Sequence, residues 1–186
     1  MSLVPFVERE SATGIVRDQL DLIHAAFGTV PAMFRAVANS PAALTSMWAA
    51  FGAFGGGALG SALSEQIAVA VANRNSCEYC LAAHTALGRK AGVSPAALRA
   101  AQTGDSDDPR TAALLGFALK LVEERGQVTP ADVQALRDEG WSDEHIVEVI
   151  GQVALNLFTN YINIALAVPV DFPTVGLRQA DGASAR

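Results

Sequence analysis

Apolar positions along this chain fall in long runs of Ala, Leu, Val and Ile. Strict apolar/polar alternation, the mark of a half-buried strand, occurs only in short stretches that lack Asn-Gly turns. Helix starts are marked by a capping residue followed by proline at Ser40-Pro41, Ser94-Pro95, Asp108-Pro109 and Thr129-Pro130. The first side chain of each pair can accept an orphan amide hydrogen bond, and proline takes the first helical position, where no N–H is needed. Gly28, Gly92, Gly104, Gly126 and Gly140 each follow a run, where left-handed caps belong. The pattern predicts an all-α chain with helices over 14–27, 31–38, 41–54, 65–74, 77–91, 95–102, 109–125, 130–139 and 143–167.

Composition bounds the class. A chain of 186 residues suits one domain over 1–186, with or without an internal duplication. The polar tail from about residue 176 is expected to fray. Hydrophobic content of 51% against 17% charged residues argues for a folded core. Only 6% is aromatic, so that core is built from aliphatic side chains on packed helices. A net charge of -6 argues against a nucleic-acid or anionic-membrane partner. The mean hydropathy of +0.27 suggests apolar surface beyond a monomer's need, and hence a homo-oligomer.

The most apolar tract, 153–170, is interrupted by Asn156, Asn160 and Asn163, which are costly in lipid. Residues 1–17 lack the basic leader and apolar core of a secretory signal, so a cytoplasmic location is expected. In that reducing compartment two cysteines three residues apart are poor candidates for a structural staple.

The chemistry concentrates in one stretch, Glu65 to His84, EQIAVAVANRNSCEYCLAAH. With Ser76 as N-cap, Cys77 opens a helix and Cys80 lies on the next turn of the same face, at a Cα separation of ~5–6 Å that a disulfide can bridge. His84 follows four residues later on that face. The helix N-terminus and an imidazole both favour thiolate, and position alone gives Cys77 the lower pKa. A reversal near Arg74-Asn75 would set Glu65 level with His84 and form a relay Glu65–His84–Cys80. The rival is zinc on Cys77, Cys80, His84 and Glu65, but helical cysteines without a second pair fit it poorly.

Elsewhere the signals are weaker. Gly55-Gly56-Gly57 with Gly60 lacks the Lys-Ser/Thr of a phosphate cradle and reads as a loop. Asn156, Asn160 and Asn163 form an i, i+4, i+7 stripe that either bonds between helices or lines a pocket over the hairpin. Tyr79, Trp48 and Trp141 read as packing residues, with Tyr79 also placed to hydrogen-bond a substrate. His24 and His145 read as surface or interface positions. A faint repeat at an offset of 79 lays SEQIAVAVANRNSCEYCLAAH over DEHIVEVIGQVALNLFTNYIN, as if a second hairpin had lost its redox groups.

The spacing of Glu65, Cys77, Cys80 and His84, with a VDFP segment closing the last helix, resembles the alkylhydroperoxidase D-like branch of the carboxymuconolactone decarboxylase superfamily, in its peroxidase-related group. The chain departs at Tyr79, where the founding alkylhydroperoxidase carries a histidine. The resemblance implies thiol-dependent reduction of a hydroperoxide, with Cys80 as peroxidatic nucleophile, Cys77 as resolving thiol and Glu65 with His84 as proton relay. It implies recycling by a dithiol or lipoyl-type reductant, no metal or organic cofactor, and a homo-oligomer, commonly a trimer or hexamer. Lactone decarboxylation fits the superfamily but not this cysteine pair. A redox-sensing thiol-disulfide protein is the reading from another class.

Overall fold

The computed structural model describes residues 2–179. Among them the chain forms α1 (Gly14–Phe27), α2 (Ala32–Val37), α3 (Pro41–Gly55), α4 (Gly60–Arg74), α5 (Glu78–Lys90), α6 (Pro95–Ala101), α7 (Pro109–Glu123), α8 (Pro130–Asp138) and α9 (Asp143–Ala165), with no strand. The four cap-proline pairs act as expected. Ser40 and Ser94 accept from Ala43 and Ala97, Asp108 accepts from Arg110 and Thr111, and Thr129 forms a reciprocal box with Asp132. Gly28, Gly92, Gly104, Gly126 and Gly140 all take positive φ.

α4 is the axis of the fold. Every residue from Ile67 through Asn73 is buried, so the helix has no wet face there and must be surrounded. α5 folds back along it, and α7 and α9 pack on its other sides. On α9 the buried residues include Asn156, Thr159, Asn160 and Asn163, a polar seam inside an otherwise aliphatic core. Among the described residues no helix is long and apolar enough to cross a membrane.

Four expectations are corrected. Ser76 does not cap α5. It sits in the left-handed region at φ 56, and Cys77 is the N-cap, its sulfur accepting from the Cys80 amide at 3.4 Å. The glycine-rich loop shrinks to the few residues between Gly55 and Gly60 because α4 begins there, and it is already occupied by an anion. Glu148 of α9 accepts from Ala58 N at 2.7 Å and Leu59 N at 3.4 Å, and a Cβ on Gly57 would overlap that carboxylate. The second copy of the faint repeat is no hairpin, since α9 runs unbroken through the positions matching the turn between α4 and α5. Part of the tail is stitched rather than frayed: Asn73 exchanges hydrogen bonds with the Arg178 backbone at 2.8 and 2.9 Å, and Gln102 donates to Gly176 O at 3.0 Å. Residues 180–186 of that tail lie outside the described residues.

Candidate active site

The turn between α4 and α5 makes the site. Cys77 N bonds back to Ala72 O at 2.9 Å, which closes α4 and aims α5 antiparallel to it. The two helices approach closely at Gly88, one turn beyond His84. A side chain there would meet Leu98 Cδ2 at 2.7 Å and Glu65 Cβ at 3.4 Å. The approach brings Glu65 Oε2 to 2.8 Å from His84 Nδ1, with both side chains mostly buried. Burial works to lower the His84 pKa, but the Glu65 carboxylate, through its charge and its hydrogen bond, together with the Cys80 charge, outweighs this and raises it. The hydrogen bond to Nδ1 leaves Nε2 as the nitrogen free to act on a neighbour.

The two cysteines are free and almost fully buried. Their environments push them apart. Cys80 is held well below the ordinary thiol value of 9.0, first by a hydrogen bond from the Cys77 thiol, then, against the opposing effect of burial, by the His84 charge and the Asn163 amide. Asn163 Nδ2 donates to Cys80 Sγ at 3.2 Å. Cys77 is raised far above that value, chiefly because its proton is engaged by Cys80 and because it is buried. The arrangement is a thiolate at Cys80 with a proton held beside it. The helix-end amide does act on Cys77, whose sulfur accepts from Cys80 N at 3.4 Å and is lowered by it, but the engagement of its proton by Cys80 and burial outweigh that bond, so the expected order of the two thiols is reversed.

A cavity of about 330 Å³ opens over Cys80. Glu65, His84, Tyr79 and Cys80 contribute to its wall, and Cys77 does not. The Tyr79 ring forms part of the lining, but its hydroxyl accepts from Met33 N at 3.2 Å, and burial holds its pKa well above the ordinary 10.0. Phe172 of the VDFP segment meets that ring edge-on at a centroid distance of 5.7 Å. Asp171 of the same segment accepts from Ala32 N at 2.6 Å and ties the tail to α2.

The structure does not bring Asn156 and Asn160 to the cavity. Asn156 Nδ2 bonds back to Gln152 O at 2.9 Å within α9, and Asn160 Oδ1 accepts from Asn75 Nδ2 at 2.8 Å across the α4–α5 turn. The residue of that stripe whose side chain donates to Cys80 Sγ is Asn163, and Thr159 is the α9 residue in the wall. Trp48, read from sequence as packing, also lines the cavity. Trp141 lies elsewhere, with Nε1 donating to Arg110 O at 3.0 Å and the His145 ring tilted against it at 5.2 Å. Among the described residues no three His, Cys, Asp or Glu side chains converge as a metal site requires.

Residues 40–124, which span α3 to α7 and include Glu65, Cys77, Cys80 and His84, match the carboxymuconolactone decarboxylase family. No curated protein matches the chain. Among solved structures, the chain is similar to an alkylhydroperoxidase AhpD core, an uncharacterised peroxidase-related protein from Ralstonia eutropha JMP134. The identity is 27%, the TM-score is 0.84, and 91% of this chain and 92% of that one are covered. A peroxidase-related protein from Silicibacter sp. TM1040 shares the fold at 24% identity and TM-score 0.80, covering 90% and 91% of the two chains. The debrominase Bmp8 shares it at 18% identity and TM-score 0.78, with 92% and 93% covered.

Proposed function

We propose that this chain, an alkylhydroperoxidase D-like protein of the carboxymuconolactone decarboxylase superfamily, reduces organic hydroperoxides with a two-cysteine thiol cycle. One observation carries the reading: of the two sulfurs only Cys80 lines the cavity, and it is the one held as thiolate beside the Glu65–His84 pair.

In the cycle the Cys80 thiolate attacks the distal oxygen of ROOH. The S–O bond forms as the O–O bond breaks, and RO⁻ leaves as ROH with the proton from imidazolium His84, which Glu65 holds in place. Cys80 is now a sulfenic acid. Cys77 gives its proton to the relay and attacks Cys80 sulfur. The S–S bond forms and hydroxide departs, taking that proton to become water. The sum is ROOH plus two thiols giving ROH, water and a Cys77–Cys80 disulfide. An external dithiol, of lipoyl type in this reading, then reduces the disulfide by exchange.

The cycle fits a reducing, cytoplasmic setting and an assembled protein. α9 supports assembly through one face. Val147, Ile150, Ala154, Leu157, Tyr161 and Ile164 recur at spacings of three and four, and Val147, Ile150, Tyr161 and Ile164 are exposed by 69%, 43%, 62% and 49%. No charged residue falls between Glu148 and Asp171. A seam with this period suits the same seam on a second copy. Light scattering on Tyr161→Glu checks it: a smaller species supports self-association through α9, and an unchanged mass removes that face.

The functional test is peroxide consumption with dihydrolipoamide as donor. Wild type turns over, Cys80→Ser does not, and Cys77→Ser stops after one equivalent with a dimedone-reactive sulfenic acid on Cys80. Absence of consumption with every hydroperoxide and dithiol tried would sink the enzyme reading. If oxidation then changed oligomer size, the redox-sensor reading would take its place.

A further inference from the structure

The chain holds eight Phe, two Trp and two Tyr, and half of them surround the cavity over Cys80: Phe27, Phe34, Trp48, Phe51, Tyr79 and Phe172. They arrive from α1, α2, α3, α5 and the tail, while the rest of the core is mostly aliphatic. Four of the rings form a connected cluster, and Tyr79 with Phe172 forms a separate pair. Phe34 meets Trp48 edge-on at 5.8 Å and Phe51 at 6.0 Å, and Phe27 lies 5.9 Å from Phe34 and 6.4 Å from Trp48. Phe34 and Tyr79 are buried, but Phe27, Trp48, Phe51 and Phe172 are only half-buried. Aromatic surface left uncovered around a cavity is unfavourable in water and favourable once a ring slides between the walls.

Size and charge narrow the occupant. A volume of about 330 Å³ lies at the low end of ligand pockets and suits one ring with a short branch rather than a long acyl chain. No lysine or arginine is among the lining residues described, and His84 is already paired with the Glu65 carboxylate at 2.8 Å, so the carboxylate of a fatty acid would find no unpaired cation there. We propose that this cavity is an aryl-binding site, and that the substrate is an uncharged hydroperoxide bearing an aromatic ring next to the peroxide carbon. This rests on the peroxidase reading for the fate of the ligand, but not for its binding.

The wall contains a natural place to test size. A Cβ on Gly52 of α3 would meet nothing within 4 Å, and a larger helix former there has room without disturbing the helix. With dithiothreitol as donor, wild type is expected to favour cumene hydroperoxide over tert-butyl hydroperoxide by about 10-fold or more in kcat/KM, and over hydrogen peroxide by about 100-fold. Gly52→Leu, which narrows the cavity, and Trp48→Ala, which removes a ring, should each lower the ratio of kcat/KM for cumene hydroperoxide to that for hydrogen peroxide by about 10-fold. A flat profile across these substrates, a preference for linoleic acid hydroperoxide, or a ratio insensitive to both variants would overturn the aryl site.

If no hydroperoxide is consumed, the peroxidase reading fails and calorimetric titration decides this one separately. Binding of 2-phenyl-2-propanol with a Kd below about 1 mM, and of tert-butanol at least tenfold weaker, supports the site. Equal or undetectable binding of the two alcohols removes it.

Discussion

Asn163 offers the sharpest test of how Cys80 is held as a thiolate. Its amide donates to the sulfur at 3.2 Å, and both residues are almost fully buried. A hydrogen bond to a buried charged group contributes about 1.5–3 kcal/mol. At about 1.4 kcal/mol per pH unit, its removal should move the Cys80 midpoint upward by about 1–2 pH units, toward the ordinary 9.0. The Cys77 thiol and the His84 charge remain, so the midpoint should stop short of that value. Asn163→Leu is the chosen variant because it keeps the volume and removes the donor. Asn163 Oδ1 is buried with no hydrogen-bond partner among the described residues, so the leucine also relieves an unsatisfied acceptor, and folding stability should change by less than about 1 kcal/mol. The assay is the pH dependence of Cys80 alkylation by iodoacetamide, read by peptide mass. Asn156→Leu on the same helix is the control, because its amide bonds only within α9. An unchanged midpoint in Asn163→Leu, or an equal shift in Asn156→Leu, would refute the reasoning.

Four further outcomes follow from the hairpin and its surroundings. The lowered Cys80 and raised His84 should give kcat/KM a plateau around neutral pH, and Glu65→Gln should pull its basic limb downward because burial then lowers His84 against the Cys80 charge alone. His84 contributes stability that is fully present below 6.5 and is lost as pH rises through its raised value, so the destabilisation by Glu65→Gln should be larger just below 6.5 than in base; urea melts across pH check this. Ser76→Gly should raise stability by roughly 0.5–1 kcal/mol in urea titration, since it relieves a left-handed backbone; a loss would restore Ser76 as the cap. Gly57→Ala should cost about 1.5–3 kcal/mol by evicting Glu148 from Ala58 N, with no further loss in Gly57→Ala/Glu148→Gln; full additivity in a double-mutant cycle would show that the two act independently.

The helices were legible because their ends are written locally. A cap, a proline and a left-handed glycine each act within one turn of the chain, so most boundaries fall within two residues of expectation. Glu65 with His84 was legible for a similar reason, since a tight reversal leaves only one way to pair positions equidistant from it. α4 begins five residues earlier than expected because no side-chain cap announces Gly60; the carboxylate that holds Ala58 and Leu59 just before it comes from Glu148, far along the chain. The polar stripe of α9 could be read as a stripe, but choosing Asn163 over Asn160 required the rotation of α9 about its axis, and distant packing sets that. The aromatic cavity was invisible for the plainest reason. Its rings come from separate helices and the tail, with no spacing in common.

The VDFP segment supplies Phe172 to the cavity wall and Asp171 to the start of α2, which makes the order of synthesis relevant. Cys77 and Cys80 are translated about ninety residues before that wall. At about 5–20 residues per second the ribosome needs roughly 5–18 s to reach Phe172, and Asn163 is itself made late in that interval. A nascent chain therefore carries both thiols before the amide that steadies one of them and the ring that roofs it. Until then Cys80 has the Cys77 thiol and His84 beside it in sequence but lacks the Asn163 amide and the Phe172 ring. The full site is completed at the close of translation, when the last helix docks, so a stalled or truncated chain would lack part of what lowers the Cys80 thiol even with all four hairpin residues intact.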